Sequence, residues 1–220
     1  MTIRLILFCV FLCALGMISC KEEKDTKKKK LSLDSRYLQI ENIHSFANCN
    51  GPNGNYTTEV TSEKDGNLTF YQVYEYGDLP FRAELSSYDK GYVLAENGKV
   101  SDTLTNISIE MIRSHDFHRL QTNPKSFFKD IEFEKDLENE LELYSGIDRL
   151  NNPVKLYYDP KMEQIKIIEF PNMMDTTEVI KIEYKKWLES DYGKLAKEIE
   201  IIQAEKDTFN FNFKTIEINE

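Results

Sequence analysis

GIDRLNNPVKLYYDPKMEQIKIIEF, residues Gly146 to Phe170, contains two runs rich in β-branched and aromatic side chains, VKLYYD (Val154 to Asp159) and QIKIIEF (Gln164 to Phe170), separated by DPKME. Such side chains pack well on a pleated surface, whereas Asp and Pro supply the dihedral angles of a tight turn. Strands joined so closely must be antiparallel, because a parallel pair needs a crossover of about a dozen residues or more.

The same grammar continues in both directions. TFYQVYEY (Thr69 to Tyr76), VIKIEY (Val179 to Tyr184) and TFNFNFKTIEI (Thr208 to Ile218) read as strands. NGPNGN (50–55), KDGN (64–67), YGDLP (76–80), ENGK (96–99) and LNNP (150–153) read as turns between consecutive strands. In the last strand Phe209, Phe211 and Phe213 share one face while Ile216 and Ile218 fall in the opposite register. A bulge near Lys214 reconciles the two registers. Only Leu104 to Glu140 breaks the β pattern: Ile107, Met111 and Ile112 recur at helical spacing, Leu120 extends that face, and Pro124 starts a second short helix through Phe128. The expected class is α+β, a curved antiparallel sheet with helices on one face, in a single domain over residues 33–220.

The chain carries a net charge of -10. Setting aside Arg4 with the leader, and the six lysines and three acids of residues 20–30, leaves -14 on residues 31–220. An acidic body excludes nucleic acid as the partner, since that needs a basic surface.

At the N-terminus Arg4 precedes the apolar run Leu5 to Leu15, and Gly16-Met17-Ile18-Ser19 leads to Cys20. This is signal-peptide grammar over residues 1–19, too short for a membrane span, which needs ~20 apolar residues. A cleavage site ending in cysteine resembles the lipobox of bacterial lipoproteins, which implies lipid on Cys20 and anchorage at the outer membrane. Lys21-Glu22-Glu23 resembles the export cue that sends lipoproteins of the Bacteroidetes to the cell surface; the alternative is the periplasmic face. Residues 20–32, with Lys27 to Lys30, read as a lipidated tether, or as a basic run drawn to anionic headgroups. Cys9 and Cys13 leave with the leader and Cys20 is acylated, so Cys49 is the one free thiol, expected as a buried small hydrophobe.

The order of the pieces carries a further resemblance. KGYVL (Lys90 to Leu94) and NGKV (Asn97 to Val100) are followed by the helical IRSHDF (Ile112 to Phe117), then by the Gly146 to Phe170 hairpin. EYKKWLESDYGKL (Glu183 to Leu195) and two terminal strands complete the sequence. From Ile43 to Asn219 this is similar to the LolA/LolB lipoprotein-carrier superfamily. The resemblance implies an unclosed half-barrel whose concave side is covered by helices over an apolar cavity that takes acyl chains. It also implies an arginine on a strand that latches onto the lid helices, for which Arg82 is the nearest candidate by location.

Under that resemblance Phe70, Tyr74, Tyr76, Met111, Phe209, Phe211 and Phe213 are the cavity candidates; by residue type alone they are equally core aromatics. His115 and His118 lie one helical turn apart and could share a Zn²⁺ with Asp116, His44 or Cys49, although the spacing of a helical zinc hydrolase is absent. No nucleophile elbow, phosphate loop or dinucleotide fingerprint occurs, so neither an enzyme nor a cofactor is expected. Three functions stay open: a non-catalytic membrane-anchored binder of an apolar ligand, a protein-interaction module of an envelope complex, and a metal-dependent hydrolase.

Overall fold

The computed structural model describes residues 29–76, 80–204 and 206–219. Its first half consists of β1 (Asn42–Gly51), β2 (Gly54–Glu63), β3 (Leu68–Tyr74), β4 (Phe81–Ser86), β5 (Lys90–Leu94) and β6 (Val100–Thr103). Two helices follow, α1 (Asn106–Arg113) and α2 (Phe117–Thr122). The second half is β7 (Lys129–Asp136), β8 (Glu142–Ile147), β9 (Pro153–Asp159), β10 (Gln164–Pro171), β11 (Val179–Ser190), β12 (Gly193–Gln203) and β13 (Asp207–Ile218).

All thirteen strands form one antiparallel sheet in the order β6-β5-β4-β3-β2-β1-β13-β12-β11-β10-β9-β8-β7. Each strand pairs with its neighbour in sequence, and β1 zips to β13 where the halves meet. The two edges are therefore β6 and β7, the strands that flank the helices, and the sheet is an unclosed barrel with the helical connection running between its edges. Pairing of β1 with β13 slips between Phe46 and Ala47, opposite Thr215 and Phe213, leaving Lys214 as the extra residue. The expected bulge is there.

Alternation sets the two faces. Ile43, Ser45, Ala47 and Cys49 of β1 are buried, as are Tyr56, Thr58, Val60 and Ser62 of β2, while the residues between them point outward. The helices pack on the buried face. Ile109 and Ile112 of α1 join Val60, Leu68, Phe70, Ala83 and Leu85, and Phe117 and Leu120 join the main core around Leu156, Ile168, Ile199 and Phe211. Each such large apolar side chain contributes about 1.5–3 kcal/mol on burial.

The helical expectation needs two corrections. The buried stripe of α1 is Ile109 and Ile112, and Ile107 and Met111 are exposed at their flank. Leu120 belongs to a separate helix, and Pro124 starts only the 3-10 turn Pro124–Ser126. Asp116 ends any continuous helix: it caps α2 with its carboxylate, accepting from the Arg119 amide at 3.4 Å.

The two ends of the barrel differ. At one end the chain from Lys29 to Ile40 seals the opening. Lys29 pairs with Asp136 and with Glu142 (2.8 Å), the Tyr158 hydroxyl donates to the Ser32 carbonyl, and Leu31 and Leu33 pack on the core. The 3-10 turn Ser35–Gln39 buries Tyr37, whose hydroxyl donates to the Lys194 carbonyl at 2.5 Å, with Ile40, Ile43 and Leu195 beside it. The last four residues of the expected tether, 29–32, are thus contacts of the domain; residues 1–28, with the leader and Cys20, lie outside the described residues. At the opposite end lie the hairpins β1-β2, β3-β4, β10-β11 and β12-β13.

Candidate functional site: an apolar pocket beneath the first helix

Polar groups on the helices pin them at the sealed end. Arg119 donates through Nη1 to the Ile40 carbonyl (3.0 Å) and through Nη2 to those of Glu41 (3.0 Å) and Ser62 (3.2 Å). Arg113 donates to the carbonyls of Gly66 (3.0 Å) and Ser87, and its guanidinium lies 4.5 Å from the Tyr88 ring centre. Asp116 accepts from the Ser62 hydroxyl at 3.0 Å; burial pushes its pKa up to about 6 although Arg119 and Ser62 pull it down. The latch therefore runs from helix arginines to backbone carbonyls of β2, of the segment before β1 and of the hairpin turns at Gly66 and Ser87. Arg82 takes no part in it: it is an outer-face residue of β4, 3.3 Å from Glu84.

A second set of contacts ties α2 to β12. The β12-β13 ladder begins at Glu198 opposite Asn212, so Ala196 has no partner on that side. His118 Nε2 donates to the Ala196 carbonyl (2.9 Å), and Gln121 Oε1 accepts from the Ala196 amide (3.2 Å). Two side chains thus complete a ladder that the Lys214 bulge interrupts. The Tyr184 hydroxyl adds a bond to the Phe117 carbonyl at 3.0 Å.

With the helices fixed there, the other end of the sheet retains a cavity of about 300 Å³ under α1. Met111, Ser114 and His115 form one side, from α1 and the break after it. Strand side chains form the floor: Tyr56, Gln72 and Tyr74 from β2 and β3, and Ile182, Ile201, Phe209 and Phe211 from β11 to β13. Phe170, Met173 and Met174, at the β10-β11 hairpin, complete the rim with Asn172 and Gln203. Tyr56 packs between Tyr74, tilted to it at 5.3 Å, and Phe211, edge-to-face at 6.1 Å, which fixes the aromatic wall. No Asp, Glu, Lys or Arg is among the described lining residues, and 300 Å³ is at the lower end of the ~300–1,000 Å³ usual for small-molecule sites.

Of the residues singled out in sequence, the cavity brings together Tyr74, Met111, Phe209 and Phe211. Phe70 is buried beneath α1 between Phe81 (6.1 Å) and His115 (5.2 Å), and Phe213 is buried against His118 (4.4 Å). Both are core. Tyr76 lies beyond the end of β3 at Tyr74, where alternation no longer applies, and is 82% exposed. Sequence reasoning missed Tyr56, Gln72, Ile182, Ile201 and the Met173-Met174 pair. The available signal was that pair, since two flexible apolar side chains in a hairpin turn are out of place unless they cover something.

His115 and His118 do not converge. His115 Nδ1 donates to the Met111 carbonyl (2.9 Å) with its ring against Phe70 and Phe211, whereas His118 points at Ala196. Burial lowers the pKa of both, that of His118 to about 4, so His118 is neutral at pH 7. His44 is on the outer face between Glu59 and Glu217, each at 2.9 Å, and Cys49 is buried with its thiol pushed up to about 12. Among the described residues no three His, Cys, Asp or Glu side chains are grouped to hold a metal ion.

No protein-family model and no curated protein sequence matches the chain. Solved structures do. A domain from Vibrio parahaemolyticus, provisionally named an outer membrane lipoprotein-sorting protein, superposes with a TM-score of 0.57 at 7% identity, covering 84% of this chain and 89% of that one. A LolA-superfamily protein from Nitrosomonas europaea gives 0.55 at 12% identity over 83% and 87% of the two chains. A DUF1329 family protein from Desulfovibrio piger gives 0.53 at 10% identity over 84% and 89%. With its edge strands unpaired and its helices between them, the chain has the LolA-like unclosed-barrel fold.

Proposed function

We propose that the protein is a non-catalytic envelope lipoprotein, anchored through lipid on Cys20, that takes an apolar chain such as an acyl chain into the pocket beneath α1. The observation that carries this reading is the pocket itself: an aromatic and aliphatic cavity of about 300 Å³ with amide and hydroxyl groups at its rim and no fixed charge among its described lining residues. The driving force is removal of apolar ligand surface from water, with no chemistry on the ligand. Support also comes from the lipoprotein-sorting name of the Vibrio domain that shares the fold. In this reading α1 and α2 cover the concave side, and α1, whose C-terminal end is tied down by Arg113, roofs the cavity.

The test is direct. Delipidated protein titrated into a dansyl-labelled fatty acid should give saturable, blue-shifted fluorescence, and organic extraction of protein purified from membranes should return a bound apolar molecule. Neither signal appearing sinks the proposal. The rival reading is an interaction module of an envelope complex that uses the outer sheet face or an edge strand; against the edge-strand form, β6 is only four residues long, and β7 carries Lys129, Asp130, Glu134, Lys135 and Asp136 on an exposed edge. Short and charged edges discourage strand addition.

A further inference from the structure

Five asparagines stand side by side on the face of the sheet opposite the helices. Asn48 and Asn50 of β1 face Asn212 and Asn210 of β13, and Asn50 also faces Asn55 of β2. Together they line a trough of about 630 Å³, with Thr57, Val73, Glu75 and Lys214 around them and Cys49, Tyr56 and Tyr74 also in its lining. Asparagine is depleted in strands. These strands lie at the centre of the sheet, and elsewhere on the outer face charged pairs such as Lys185–Glu200 (2.6 Å) occupy equivalent positions.

The amides are partly organised and partly free. Asn50 Nδ2 donates to Asn55 Oδ1 (2.6 Å), and Asn55 Nδ2 donates to Glu75 Oε2 (2.8 Å). Among the described residues, Asn48, Asn210 and Asn212 have no side-chain hydrogen bond, so each offers a donor and an acceptor to whatever occupies the trough. The trough lies beside a second one of about 580 Å³, on β2 to β4, lined by Thr61, Thr69 and the partly exposed ring of Tyr71.

This chemistry selects among ligands. A protein partner needs an apolar centre, and here the central strand positions are asparagine amides, with Val73 one strand further out beside Thr57. The charges nearly cancel, with Glu75 and Lys214 here and Glu59, Glu96 and Arg82 in the neighbouring trough, so the surface selects for neither an anionic nor a cationic polymer. A neutral chain dense in hydroxyl groups suits paired donors and acceptors at the ~4.8 Å strand spacing, and the C–H face of a sugar ring suits Tyr71.

We propose that the outer face of β13, β1, β2 and β3 binds a neutral glycan, at a site that meets the apolar pocket only through Tyr56 and Tyr74, which line both. Native electrophoresis of the detergent-solubilised full chain through gels containing soluble starch, mannan, galactomannan, xylan or hydroxyethylcellulose tests it. At least one polysaccharide should retard the protein. The double variants Asn48→Ala/Asn212→Ala and Asn48→Val/Asn212→Val should weaken that retardation about tenfold or more, as should Tyr71→Ala, while Met111→Trp in the pocket should leave it unchanged. The valine pair favours strand structure, so its loss of binding cannot be misfolding. No retardation by any of the five, or undiminished retardation of both double variants, would overturn the proposal.

Discussion

His118 donates a hydrogen bond from Nε2 to the carbonyl of Ala196, 2.9 Å away, where β12 has lost its β13 neighbour. The imidazole does the work of a missing strand, and its burial keeps it neutral, against the pull of the Ala196 carbonyl toward the protonated form. As pH falls below the ordinary histidine value of 6.5, the unfolded chain takes up a proton that folded His118 refuses until about pH 4. Stability from this group is therefore intact above pH 6.5 and is lost as pH falls through that window, by roughly 3 kcal/mol in all. Urea midpoints of His118→Gln at pH 7, 5.5 and 4.5 should fall less steeply than those of the parent. Identical slopes would show that His118 does not titrate as its burial requires. Asp116 titrates with the opposite sign in both proteins and cancels from the comparison.

Arg119 holds α2 through three backbone carbonyls, those of Ile40, Glu41 and Ser62, and compensates Asp116. Arg119→Met should cost about 3 kcal/mol at pH 7, since those carbonyls and a buried carboxylate lose their cation. The cost should shrink at pH 5, where Asp116 accepts a proton. Urea unfolding at the two pH values checks this, and a cost that grows toward acid would contradict the assignment.

Filling the cavity separates binding from folding. Met111 is 40% exposed at the pocket margin, so Met111→Trp should leave the thermal midpoint nearly unchanged while weakening a dansyl fatty acid about tenfold or more. Ile182→Ala removes a fully buried floor residue and should destabilise by 2–5 kcal/mol, about the cost of a core cavity.

Anchorage is tested at Cys20. Cys20→Ser should shift the protein from the membrane fraction to the soluble envelope fraction, and should abolish labelling by radioactive palmitate in cells. One acyl chain gives only marginal binding and two or more hold firmly, so the shift should be nearly complete.

Much of the fold is legible in the residues themselves. The Phe209-Phe211-Phe213 and Ile216-Ile218 registers place the Lys214 bulge, and the strands from Val154 to Ile218 follow their alternation. Strands β1 and β2 are harder to see, because the asparagines and glycines around residues 48–55 read as turn chemistry though the ladder runs through to Gly51 and Gly54. Helix α2 is hidden for another reason. All six of its residues are buried, so it has no amphipathic period, and the neighbours that satisfy His118, Arg119 and Gln121 are distant in sequence. The site is half legible: aromatic alternation finds Tyr74, Phe209 and Phe211, but which aromatics border space and which fill it depends on where α1 rests.

The segment from Lys29 to Ile40 closes one end of the barrel, and the pocket is at the other. Eight residues lie between Cys20 and Lys29, a leash of nine Cα steps that reaches at most about 32 Å when fully extended. Strands β11 and β13, twelve residues each, span about 40 Å from end to end. A protein held by lipid on Cys20 would therefore turn its back to its own bilayer. Its cargo would arrive from the aqueous side, delivered by another carrier or membrane, and would not be drawn from the leaflet that anchors it.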